Sequence, residues 1–119
     1  MSEARPALLS GVRIIDMTSV VFGPLATQML GDLGADVIKV ESPEGDMLRQ
    51  VQPAQSTGMG AAFLGVNRNK RSVVLDLKTD DGRRSLRRLL RDADVFISSI
   101  RPAALARLSL APDALRREN

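Results

Sequence analysis

A run of basic residues is the feature of this sequence that most clearly suggests chemistry. The stretch "NRNKRS" (67–72) places Arg68, Lys70 and Arg71 directly ahead of an apolar run. Lysine offers a point charge and arginine a forked set of donors, and both suit phosphate groups. The same residues also suit a solvated connection into a strand. Composition alone leaves both interpretations open.

Acidic side chains are the other candidate reactive groups. Seven of them suit acid, base or nucleophile roles, namely Asp16, Asp32, Asp36, Glu41, Glu44, Asp46 and Asp76. Asp16 ends a predicted strand and Asp76 falls inside another, so either could be partly buried. Buried carboxylates are usually paired with a partner, so we expect caps or ion pairs at these positions. None of the seven stands out as a nucleophile.

The chain contains neither histidine nor cysteine. It therefore has no imidazole for a catalytic triad, no thiolate, no disulfide and no Cys/His metal site. Three Phe, with no Tyr or Trp, are too few to stack nucleic-acid bases, and the net charge of +3 indicates only a weak preference for anions. We expect no nucleic-acid or membrane partner, and a cytoplasmic location because no signal peptide or long apolar span is present.

Strands and helices alternate in the predicted element order. The predicted strands are 11–16, 35–41, 72–77 and 94–99. The predicted helices are 24–34, 79–93 and two that begin at Pro102 and near Pro112. Residues 1–10 form a polar lead-in, and residues 47–66 fit either a short helix or a loop. This alternation predicts an α/β fold with a parallel sheet and right-handed crossovers.

Three predicted loops lie where an open parallel sheet binds ligands, beyond the carboxyl ends of its strands. They are "MTSVVFGP" after strand one, "ESPEGD" after strand two and "SSIRP" after strand four. The first strand-to-helix turn lacks the G-x-G-x-x-G fingerprint, and no P-loop motif occurs, which argues against a nicotinamide or nucleoside-triphosphate site. The residues therefore predict where a ligand binds and leave its identity open.

A resemblance supplies that identity. The stretches "LLSGVRIIDMTSVVFGPLATQMLGDLGADVIKVESPEGDMLR", "NRNKRSVVLDLKTDDG" and "DADVFISSIRPAALARL", in this order, resemble the N-terminal part of the class III coenzyme A transferases, a family that includes α-methylacyl-CoA racemases. The resemblance implies a Rossmann-like parallel sheet with helices on both faces, incomplete relative to the family. It also implies coenzyme A or acyl-CoA as substrate, a carboxylic acid as co-substrate and no permanently bound cofactor.

The resemblance also implies which residues contact coenzyme A. Matched position by position, they are Val20, Val21, Phe22, Lys70, Arg71, Ser99, Ile100 and Arg107. It favours the anion-site interpretation of the basic run, with Lys70 and Arg71 as phosphate donors near the carboxyl edge of the sheet.

The reaction implied by the resemblance moves coenzyme A between carboxylic acids through an enzyme-bound Asp intermediate. The family's catalytic Asp maps beyond residue 119, so we expect residues 11–119 to be a CoA-binding segment that is inactive alone. The family's interlocked dimers imply a homodimer, or a pairing with further polypeptide. Two alternatives stay open: an acyl-CoA racemase of the same family, and a non-catalytic CoA-binding fragment.

Overall fold

The computed structural model describes residues 5–119 and has an α/β architecture. Its strands are β1 (Arg13–Met17), β2 (Asp36–Glu41), β3 (Lys70–Val74) and β4 (Val95–Ser98). Its α-helices are α1 (Phe22–Asp32), α2 (Ala61–Val66), α3 (Asp80–Arg91), α4 (Pro102–Arg107) and α5 (Pro112–Glu118), with a 3-10 helix at Met47–Gln50. Part of the predicted lead-in, residues 1–4, lies outside the described residues.

The four strands form one parallel sheet in the order β3-β2-β1-β4. On one face, Ile14 and Val37 pack with Leu30 of α1. On the other face, Ile15 and Ile38 join the larger core, which includes residues of α3, α4 and α5. The predicted Rossmann-like parallel sheet with helices on both faces is therefore confirmed.

Helix ends follow the sequence signals closely. The Thr79 hydroxyl accepts the Gly82 N–H at 3.0 Å and caps α3, as its position ahead of an acidic first turn predicts. Gly34 has a φ of +103° just after α1 and ends that helix, as predicted. The helices that start at Pro102 and Pro112 are also confirmed. The undetermined segment 47–66 contains the 3-10 helix and α2.

The prediction for the third strand is wrong at both ends. β3 begins at Lys70 because Lys70 pairs with Val37 of the neighbouring strand, and it ends at Val74 because its partner strand ends at Glu41. Asp76 consequently lies in the turn that follows β3 and not inside a strand. In the described part of the chain, no helix has the length and apolar character needed to cross a membrane.

Candidate functional site

An open cavity of about 550 Å³ lies at the carboxyl edge of the sheet. The three predicted loops all contribute to its wall, through Met17–Val20, Glu41–Met47 and the pair Ser99 and Ile100. A fourth segment, Leu75–Lys78, follows β3 and also lines the cavity. This segment was not predicted as part of the site, because the predicted third strand extends to residue 77 and would have placed it inside the sheet.

The cavity combines apolar walls with a polar rim. Its apolar side chains are Met17, Val20, Val40, Pro43, Met47, Leu75, Leu77, Ile100 and Leu108. Among the described residues that line it, Lys78 is the one cation. Hydrogen bonds from the backbone N–H of Glu44 itself and from Ser42 lower the pKa of Glu44, with a smaller contribution from the charge of Lys78. Four acidic residues also line the cavity, and two of them, Glu41 and Asp46, are paired with Arg49 and Lys39 behind the wall. The surface therefore combines apolar side chains with charged groups of both signs.

Three of the eight predicted contact residues line this cavity, namely Val20, Ser99 and Ile100. Val21 follows Val20 in the first loop, and Phe22, the first residue of α1, is 87% exposed. Arg107 is exposed on α4, next to the lining residue Leu108, and its Nε donates to the Ala103 carbonyl at 3.3 Å. The structure therefore groups six of the eight residues at or beside one edge of the sheet.

The backbones of Lys70 and Arg71 lie at the opposite edge, and the Lys70 side chain extends from there to Asp16 in the carboxyl half of β1. The two residues are the first of β3, so the expectation that the basic run lies near the carboxyl edge is wrong. The Lys70 side chain is only 2% exposed, and its Nζ lies 3.0 Å from the Asp16 carboxylate. The same Nζ donates to the Pro24 carbonyl and the Asn67 side-chain oxygen, each at 2.9 Å. All three donor positions of this ammonium are thus occupied within the protein.

Asp16, the partner of Lys70, is fully buried. Burial raises the pKa of this carboxyl, but hydrogen bonds from the Thr18 and Thr27 hydroxyls and the charge of Lys70 outweigh burial. The net result is a pKa below the ordinary value, so Asp16 remains ionised. The expectation that Asp16 forms an ion pair is confirmed.

Arg71 also has an acidic partner. Its Nη2 lies 2.7 Å from both carboxylate oxygens of Asp36, and Arg13 Nε reaches the same carboxylate at 2.9 Å. The bonds from Arg71 are the main reason that the pKa of Asp36 is lowered. Arg13, Asp36 and Arg71 therefore form an ion-pair ladder across three strands at the amino edge.

Glu41, at the carboxyl end of β2, is held by a third set of contacts. Arg49 donates to its two carboxylate oxygens at 2.7 and 2.8 Å, and the Ser72 hydroxyl donates at 2.7 Å. Burial raises the pKa of Glu41, but these bonds more than offset it and lower the pKa to about 2. The Arg49 guanidinium also stacks 3.9 Å from the Phe63 ring centroid. Glu41 is thus a fixed anion at neutral pH.

Comparisons with known proteins place this geometry in a family. The family model described as "CoA-transferase family III" matches residues 9–119. The succinate–glutarate CoA-transferase of Agrobacterium fabrum is 47% identical over 98% of this chain and 30% of its own length. A probable fatty acyl-CoA transferase of Mycobacterium tuberculosis is 43% identical over 100% of this chain and 31% of its own length.

Solved structures agree with the sequence comparisons. A CaiB/BaiF family protein from Brucella suis superposes with a TM-score of 0.90 at 39% identity, over 97% of this chain and 32% of that protein. A crystal structure of the Mycobacterium tuberculosis protein gives a TM-score of 0.84 at 45% identity, over 93% of this chain and 30% of that protein. The chain spans about 30% of the length of these relatives. It belongs to CoA-transferase family III.

Proposed function

We propose that this chain is the N-terminal CoA-binding portion of a CoA-transferase that moves coenzyme A between carboxylic acids. The observation that supports this most directly is the cavity, which the loops after all four strands of a family III sheet line together. Val20, Ser99 and Ile100 line its wall, with Val21, Phe22 and Arg107 beside it, as proposed contacts of the CoA moiety. The relatives described above are named as CoA-transferases, which supports a transferase over a racemase.

Lys78 takes the phosphate-binding role that the sequence analysis gave to Lys70 and Arg71. Lys78 lines the cavity, whereas Lys70 is buried against Asp16 and Arg71 is paired with Asp36 at the other edge. A lysine on an open rim can turn its ammonium toward a phosphate without first breaking a buried ion pair. We therefore assign Lys70 and Arg71 to the framework of the sheet.

The reacting Asp belongs, in this proposal, to polypeptide outside this chain. The buried carboxylates at the carboxyl ends of β1 and β2 support this assignment. Asp16 and Glu41 are each bound by a cation and by side-chain hydroxyls, and the pKa of each is lowered. A carboxylate held in this way is neither mobile nor free to attack a thioester.

The same proposal includes that this chain forms a homodimer or pairs with further polypeptide. Supporting it, one side of α1 exposes Phe22, Met29 and Leu33, whose spacing of seven and four residues places them along one helical stripe. Large exposed apolar stripes usually mark a surface that a partner covers. The cytoplasmic location also stays part of the proposal, on the sequence evidence alone.

Calorimetric titration of the purified chain with coenzyme A tests the binding proposal. Lys78→Ala should weaken coenzyme A about tenfold, since a hydrogen bond to a charged group contributes roughly 1.5–3 kcal/mol. Arg88→Ala is the matched control, because Arg88 is exposed on α3 and does not line the cavity. No heat from folded wild-type protein would refute the binding proposal. Turnover of an acyl-CoA with a free carboxylic acid by the isolated chain would refute the placement of the Asp elsewhere.

A further inference from the structure

Val20, on the rim of the cavity, has a backbone conformation that its side chain disfavours. Its φ is +72°, in the left-handed region. Among the described non-glycine residues, Asn69 and Ser109 also have positive φ, but neither is β-branched. For a β-branched residue this conformation is a genuine outlier and costs on the order of 1–3 kcal/mol. Strain of this kind persists only where surrounding contacts enforce it.

The contact that enforces it is the carboxylate of Asp46. The Val20 N–H points at this carboxylate and lies 3.3 Å from each of its two oxygens. Asp46 also accepts the Leu48 N–H at 3.0 Å, and its own N–H donates to Glu41 at 3.0 Å. Asp46 is therefore fixed on several sides and holds Val20 from a rigid position.

Lys39, buried in the middle of β2, completes the arrangement. Its Nζ lies 3.0 Å from Asp46 and 3.0 Å from the Thr18 carbonyl, and the side chains of Lys39 and Asp46 are each 1% exposed. The pair therefore holds the first loop at two points, the Thr18 carbonyl and the Val20 N–H. Gly23 closes the same loop against Thr18, because a Cβ on Gly23 would lie 2.4 Å from the Thr18 Cβ.

We infer that the Lys39–Asp46 pair is a positioning device for the ligand cavity. It keeps the Thr18–Val20 segment in a strained conformation that forms part of the cavity rim before any ligand arrives. A rim built in advance binds more tightly, because the ligand does not have to supply the free energy of ordering it. This inference rests on the proposed CoA site. Lys39 does not line the cavity, whereas Asp46 does, so the test has to separate positioning by Asp46 from direct contact with the ligand.

A double-mutant cycle between Asp46 and Val20 separates positioning from simple structural support. Asp46→Asn weakens the tie, since one amide oxygen replaces the two carboxylate oxygens that Val20 shares with Leu48 and Lys39, and the amide nitrogen, itself a donor, faces the Lys39 ammonium. In the wild-type background this change should lower the affinity for coenzyme A about tenfold, because binding must then supply the free energy that holds Val20 in its strained conformation. In the Val20→Gly background it should weaken coenzyme A less than about threefold, because glycine adopts positive φ without strain.

Thermal unfolding of the same proteins provides a second readout. If the pair only supported the fold, the effects of Asp46→Asn on the affinity and on the Tm would follow the same pattern in both backgrounds. Asp46→Asn should lower the Tm in both backgrounds, because Lys39 is left buried without its partner in each. Rescue by Val20→Gly should thus appear in the affinity and not in the Tm. Asp113→Asn, which removes an exposed carboxylate on α5, controls for the change in net charge and should alter neither readout.

A proline variant keeps the test decisive even where Asp46→Asn does not fold. Val20→Pro fixes φ near −65° and removes the N–H, while the Val20 side chain is outside the core. A loss of more than about tenfold in affinity from a folded Val20→Pro protein supports the inference. Equal losses from Asp46→Asn in both backgrounds, or an unchanged affinity in Val20→Pro, overturn it. Wild-type protein that binds no coenzyme A overturns the proposed function and this inference together.

Discussion

Replacing Lys70 tests whether this cation supports the sheet or binds a phosphate. In Lys70→Met the buried Asp16 loses an ammonium 3.0 Å away and keeps its bonds from Thr18 and Thr27. Removing one partner of a buried ion pair typically costs about 3–5 kcal/mol. Because the two hydroxyls remain, we expect a loss of free energy of unfolding near the lower end, about 3 kcal/mol. At roughly 4 °C per kcal/mol for a domain of this size, the Tm should fall by about 12 °C.

The assay compares five proteins by urea unfolding and by calorimetric titration: the wild type, Lys70→Met, Asp16→Asn, the double variant and Arg71→Met. Asp16→Asn/Lys70→Met removes both charges. Its loss of free energy of unfolding should be about 2 kcal/mol smaller than the sum of the losses in the two single variants, because the two residues are in contact and their effects are coupled. Arg71→Met is the matched control, since its ion pair with Asp36 is exposed and should contribute less than about 1 kcal/mol. The ratio of affinities for coenzyme A and dephospho-CoA should stay at the wild-type value in Lys70→Met.

The opposite pattern would refute this assignment. Lys70→Met protein with wild-type stability, and a selective loss of affinity for coenzyme A over dephospho-CoA, would show that Lys70 holds the 3′-phosphate. The buried geometry would then have to open when ligand binds.

Two further predictions concern the stability of the fold. The Glu41 pKa is lowered to about 2 from an ordinary 4.5. The contribution of the Glu41 carboxylate to the free energy of unfolding is therefore fully present above pH 4.5 and is lost as the pH falls toward 2. That loss should reach about 3 kcal/mol in acid unfolding, and Glu41→Gln should remove this part of the pH dependence of stability. The prediction is contradicted if the free energy of unfolding of Glu41→Gln depends on pH as that of the wild type does. Leu86→Ala, at a fully buried position of α3, should cost about 3 kcal/mol in urea unfolding, and clearly more than Leu89→Ala on the half-buried neighbour.

Local patterns predict the elements of this fold because each element is specified by nearby residues. Thr79 caps α3, Gly34 ends α1 and Pro102 starts α4, and each signal acts within a few positions of the residue that produces it. The alternation of strands and helices then permits few topologies besides a parallel sheet. The bounds of β3 depend instead on its pairing with β2, a contact between segments more than thirty residues apart, which no local pattern contains.

The same distinction applies to the basic run, whose residues Lys70 and Arg71 begin β3 and do not line the cavity. In a parallel sheet, residues that precede a strand and residues that follow it lie at opposite edges, so a basic run directly ahead of the third strand belongs at the amino edge whether that strand starts at residue 70 or at residue 72. Whether a cation can receive a ligand also depends on acidic residues that are distant in sequence. Lys70 meets Asp16 from 54 positions away, whereas Lys78 lines the cavity and, among residues 5–119, forms no ion pair. The density of cations along the chain therefore says little about an anion site in this fold. The relevant property is which cations at the carboxyl edge, among the described residues, have no acidic partner.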